Sequence, residues 1–81
     1  MKVSFFTTLG CHLCEQALVL LRNIEASGFT MTINEVEIAD HTELLEQYGI
    51  RIPVVLIDGH DNDLGWPFTE AELRNFLEHP S

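Results

Sequence analysis

The stretch from Cys11 to Ala26 limits the possible folds more than any other part of these 81 residues. Leu13, Ala17, Leu20, Leu21 and Ile24 recur in it at helical spacing, and Gly28 follows as a stop. Segments of strand character lie on both sides. Met1–Phe6 takes β-propensity from Val3, Phe5 and Phe6, and Met31–Ile38 alternates imperfectly through Ile33, Val36 and Ile38. Two strands joined through one helix are expected to lie parallel, with a right-handed crossover.

The remainder completes a compact pattern. Asp40 and Glu43 have the form of a capping box ahead of a short helix, His41–Tyr48, that ends at Gly49. Arg51–Asp58, "RIPVVLID", is a nearly continuous apolar run, which suits a strand buried on both faces. The turn "GHDN" leads into a short strand at "DLGW", expected to run antiparallel to its predecessor. Thr69 and Glu72 form a second capping box, and Leu73, Phe76 and Leu77 supply the apolar face of a last helix. The expected order is β-α-β-α-β-β-α. This is an α/β fold with a mixed four-stranded sheet and flanking helices, in one domain over residues 1–81. A hydrophobic share of 46% is enough for a core without disulfide staples or a structural metal.

Charge narrows the partners. Thirteen acidic residues stand against four basic ones, for a net charge of -9. Binding to nucleic acid or to an anionic membrane needs clustered Lys and Arg, so neither is expected. The acid excess serves solubility, or steers the protein toward a basic partner. No apolar run approaches the roughly 18 residues of a membrane span, and the N-terminus lacks the features of a secretory signal. A cytoplasmic monomer is expected.

Cys11 and Cys14 are the only cysteines, and they fall where a loop becomes a helix. At a helix start, unpaired backbone N–H groups and the positive end of the helix dipole favour an anion. A thiol held there ionises more readily, and the thiolate is the nucleophile of disulfide exchange. Cys14, one turn further on, is placed on the inner side, where it reaches the first sulfur but meets little solvent. His12, if protonated, would stabilise the thiolate further; otherwise it is a solvent-facing side chain. Leu13 either lines a contact surface or enters the core. Glu15 opposes a thiolate but suits the helix N-terminus.

A structural or metal-binding role accounts for the pair less well. Cys14 alone would pass for a buried hydrophobe beside Ala17, Leu18 and Leu21, but Cys11, after Gly10, would not. A closed zinc site needs four ligands. Only Cys11, Cys14 and His12 are local, while His41, His60 and His79 are scattered. A metal held between two chains by their thiolates stays open.

The βαβ unit, the Cys-x-x-Cys that opens its helix, and an Ile-Pro entering a buried strand together resemble the thioredoxin fold. "TTLGCHLCEQA", "RIPVVLID" and "GWPFTEAEL" are similar to the small bacterial glutaredoxin-like proteins, along essentially the whole chain. The resemblance implies a thiol–disulfide oxidoreductase. It would reduce protein or low-molecular-weight disulfides, with an external reductant, no bound cofactor and glutathione as a possible co-substrate. It also implies that Cys11 and Cys14 are catalytic, that the Ile52–Pro53 bond is cis, and that the Ile52 backbone is left free to bond an extended substrate. Two features depart from ordinary glutaredoxins. Thr8 stands where they carry Lys, and "DLGWPFTEAEL" replaces their Gly-Gly turn, with no N–H donor at Pro67. Arg51 is either a contact for a ligand carboxylate or a surface residue. Trp66 and Phe68 either cover the core or form a platform for a partner. The alternative function is a binding module of the same fold, docking proteins or bridging an iron–sulfur cluster without turnover.

Overall fold

A computed structural model describes residues 1–79. The elements are β1 (Lys2–Thr7), α1 (His12–Ala26), β2 (Thr32–Glu37), a 3-10 turn (Ile38–Asp40), α2 (Thr42–Tyr48), β3 (Val54–Ile57), β4 (Asp63–Gly65) and α3 (Glu70–Glu78). This is the β-α-β-α-β-β-α order read from the sequence. The sheet runs β2-β1-β3-β4, with β1 and β2 parallel and the other two pairings antiparallel.

Strand alternation sorts the side chains onto two faces. Val3 and Phe5 of β1, with Val55 and Ile57 of β3, meet Ala17, Leu21 and Ile24 of α1 and Leu73 and Leu77 of α3. Phe6 and Val54 point the other way and pack with Ile38 and Tyr48, the Phe6 and Tyr48 rings stacking at 4.3 Å. The central strand β3 is therefore covered on both sides, as its unbroken apolar run required. Leu21, Ile24, Leu73 and Leu77 are fully buried. Each is worth about 1.5–3 kcal/mol relative to an exposed side chain, so α1 and α3 are held mainly by this layer.

Two boundaries differ from the sequence expectation. The capping box at Asp40 and Glu43 does not form. Asp40 lies inside the 3-10 turn, whose cap is the Glu37 carboxylate, and His41 precedes α2 without a side-chain cap. The strand expected from Arg51 starts only at Val54. The N–H groups of Arg51 and Ile52 turn back to the Tyr48 carbonyl, at 2.8 and 3.0 Å, and Pro53 has no N–H to give. Leu13, which the sequence left between a contact surface and the core, is 45% exposed. The box at Thr69 and Glu72 does form, with both reciprocal bonds present.

Candidate functional site

The strand register gathers distant segments at one end of the sheet. Thr7 pairs with Glu37 at the end of β2, Phe6 with Val54 at the start of β3, and Val54 with Gly65 at the end of β4. The loop carrying Cys11, the Arg51–Pro53 segment and Trp66 therefore share that end. The Trp66 N–H donates to the Pro53 carbonyl at 3.0 Å and ties the last two together. The Ile52–Pro53 and Trp66–Pro67 peptide bonds are both cis; the second lay outside the sequence expectations.

Gly10, at φ +78, takes a backbone conformation that costs a side-chain-bearing residue, and it turns the chain into α1. Cys11 is the N-cap of that helix in extended conformation, and its Sγ accepts the Cys14 N–H at 3.1 Å. A cysteine sulfur here fills the capping role usually taken by an oxygen. Cys11 and Cys14 are joined as a disulfide, with Cα atoms 5.2 Å apart. Cys14 is only 3% exposed, within the α1–α3 core, whereas Cys11 is partly exposed. In the reduced pair the same N–H donor favours negative charge on the Cys11 sulfur. The arrangement offers one accessible sulfur facing a backbone N–H donor at a helix start and one sheltered sulfur within bonding reach.

The other candidates divide. Ile52 and Trp66 pack partly buried against the cluster that contains Cys14, and Pro53 is buried. The Ile52 N–H is not left for a substrate, because the Tyr48 carbonyl accepts it at 3.0 Å; the donor half of the expected docking edge is committed inside the chain. Arg51 meets a carboxylate, but an internal one. Its guanidinium is paired with Asp63 through both terminal nitrogens, one at 3.1 Å, and lies 6.0 Å from the Tyr48 ring centre. The hydrogen bond to Asp63 raises its pKa above the ordinary value. The His12 side chain is 90% exposed, with Nδ1 3.5 Å from Glu15. Phe68 is buried in the core, while Trp66 meets it edge-on at 5.1 Å and stays half-buried. Core cover and surface are thus split between the two aromatics. Among the described residues, no three His, Cys, Asp or Glu side chains gather where they could hold a metal ion.

Sequence reasoning missed Glu37. Its carboxylate accepts the Leu9 N–H at 2.8 Å and the Ala39 N–H at 2.9 Å. It thereby pins the loop before Cys11 to the end of β2. The bond from Ala39, helped by Thr8 and Leu9, holds this carboxyl below the ordinary carboxylate pKa. The available signal was slight: a carboxylate ending a strand beside which a glycine-containing loop must be anchored. Leu9 itself is 92% exposed next to the site.

An α/β sheet of this order, with a cysteine pair capping the first helix and a buried proline opening the third strand, defines a protein of the thioredoxin-fold class. Within that class the chain belongs to the glutaredoxin-like domain family (DUF836), whose model matches residues 2–78. Uncharacterized proteins of Mycobacterium tuberculosis and Mycobacterium bovis are 32% identical over 77 residues, covering 90% of this chain and 78% of theirs. A structural-genomics target protein from X. campestris, solved by X-ray diffraction, is similar with a TM-score of 0.81 and 32% identity, over 94% of this chain and 95% of that one. Thioredoxin 1 from Thermosipho africanus shares the fold at a TM-score of 0.71 and 22% identity, over 96% and 91% of the two chains. No helix among the described residues is long and apolar enough to cross a membrane.

Proposed function

We propose that this chain is a thiol–disulfide oxidoreductase that reduces disulfides of proteins or small thiols. The Cys11 thiolate attacks one sulfur of the substrate disulfide. That S–S bond breaks, a mixed disulfide forms, and the departing thiolate takes a proton from water. The Cys14 thiolate then attacks Cys11, releases the second product thiol and leaves the Cys11–Cys14 bridge. The dithiol has given two electrons, and an external thiol reductant returns them. The protein works in the cytosol as a monomer and needs no bound cofactor.

The observation that carries this reading is the Cys14 N–H directed at Cys11 Sγ at 3.1 Å, with Cys14 itself sheltered in the core. A nucleophile activated at a helix start and a resolving thiol hidden one turn behind are what two-step exchange requires. The test is reduction of a protein disulfide by wild type and by single cysteine variants. Cys11→Ser should abolish turnover, and Cys14→Ser should stall with a substrate covalently attached. Undiminished turnover in Cys11→Ser would refute the mechanism.

A further inference from the structure

A groove of about 320 Å³ opens beside the disulfide, between the loop before Cys11, the first turns of α1 and the end of β2. Phe5 and Leu18 give it apolar walls, and Glu15, Glu35 and Glu37 bring three carboxylates to it. Glu37 is occupied by backbone N–H groups and remains ionised at neutral pH. Glu15 and Glu35 are solvent-accessible, with side chains 74% and 48% exposed, and each has one long contact within the chain, to His12 at 3.5 Å and to Arg22 at 3.6 Å.

Among the described residues, no basic side chain lines this groove. The chain has four Lys and Arg residues, and each is already bonded within the chain or stands away from the groove. Lys2 stands at the opposite end of β1, about 17 Å away along a six-residue strand. Arg51 is paired with Asp63, and Arg74 donates to Ser27 Oγ at 3.0 Å. Arg22 donates to Glu25 at 3.2 Å and forms a longer ion pair with Glu35 at 3.6 Å, so its charge is shared between two carboxylates. His12 is near Glu15 at 3.5 Å and open to solvent. The ionisable side chains that line the groove, apart from the cysteines, are therefore all acidic, while the Cys11 sulfur itself faces the Cys14 N–H. An anionic thiol such as glutathione meets three carboxylates there, and Arg22 beside Glu35 is already paired with two of the chain's own acids.

We infer that the groove receives a Lys or Arg side chain next to the substrate's cysteine, so that the preferred substrate is a disulfide in a basic peptide segment. The inference rests on the exchange reading above. Such a side chain lays its apolar stem on Phe5 and Leu18 and carries its charge to Glu15 and Glu35. Complementary charge beside the reacting sulfur raises the encounter rate, and like charge lowers it.

The experiment mixes pre-reduced protein at low salt with either of two cystine peptides, identical except for Arg or Glu beside each cysteine. Oxidation is followed by loss of protein thiols. The Arg peptide should react at least about tenfold faster. The Glu15→Gln, Glu35→Gln double variant, or salt near half-molar, should shrink the ratio to about threefold or less. A wild-type ratio near one, or a ratio the double variant leaves unchanged, overturns the groove assignment while exchange itself stands. Failure of both peptides to oxidise the protein defeats the exchange reading instead.

Discussion

The backbone N–H of Cys14 donates to the sulfur of Cys11 over 3.1 Å, across the first turn of α1. The two cysteines are thus linked twice, once through sulfur and once through the backbone of the helix they open. Only the second link survives reduction. It leaves a donor aimed at the sulfur that must carry charge.

In the reduced protein the Cys11 thiol should therefore ionise below the ordinary thiol value of about 8.5. Thiolate absorbance in the ultraviolet, recorded against pH for the Cys14→Ser variant, measures it. A midpoint at or above about 8.5 removes the activation argument. Cys14, sheltered in the core, should react with iodoacetamide far more slowly than Cys11.

Glu37 links the loop before Cys11 to acid stability. Its folded-state pKa is lowered from 4.5, chiefly by the Ala39 N–H. The stability it contributes is present above the unfolded value and is lost as pH falls through the folded one. Glu37→Gln keeps one acceptor oxygen but sets an amide against the other N–H. Its urea midpoint should lie below wild type at pH 7 and by a smaller margin near pH 3, below the ordinary carboxylate value. An equal deficit at both pH values would show that charge on Glu37 is not the cause.

Arg51 and Asp63 form a two-pronged ion pair on a half-exposed side chain. Solvent screening limits such a pair to about 1 kcal/mol or less. Lysine cannot supply the fork, so Arg51→Lys should lose nearly as much urea stability as Arg51→Ala. Because the guanidinium is committed internally, Arg51→Ala should not slow reaction with glutathione disulfide. A clear drop in that rate would make Arg51 a ligand contact after all.

The layer between α1 and the sheet should be the most sensitive to truncation. Leu21 is fully buried, and Leu21→Ala should cost about 2–5 kcal/mol by urea unfolding. Val19, two residues earlier and 58% exposed, should tolerate alanine within about 0.5 kcal/mol. Comparable losses at both positions would mean that α1 is held by something other than its buried stripe.

Much of this molecule is local in origin and legible in the chain itself. Helical spacing from Cys11 to Ala26, the reciprocal box at Thr69 and Glu72, and the apolar run around Val54–Ile57 depend on neighbours a few residues away. Where two bonding patterns a few residues apart competed for the same stretch of backbone, the expectation chose the wrong one. The Glu37 carboxylate, two residues before Ala39, accepts its N–H and caps a 3-10 turn that contains Asp40, where a box had been expected. The Tyr48 carbonyl took the Ile52 N–H that a substrate was expected to use.

Sequence alone determined the order of the elements, the buried faces and the pair of sulfurs at a helix start, because each follows from periodicity or from the chemistry of a short motif. Only the tertiary structure decided what surrounds those sulfurs. Pairing β2 beside β1 set Glu35 and Glu37 at the groove, and folding β4 beside β3 turned Arg51 to Asp63. Charge acts through space, and the separation between charges is set by strand register rather than by position along the chain.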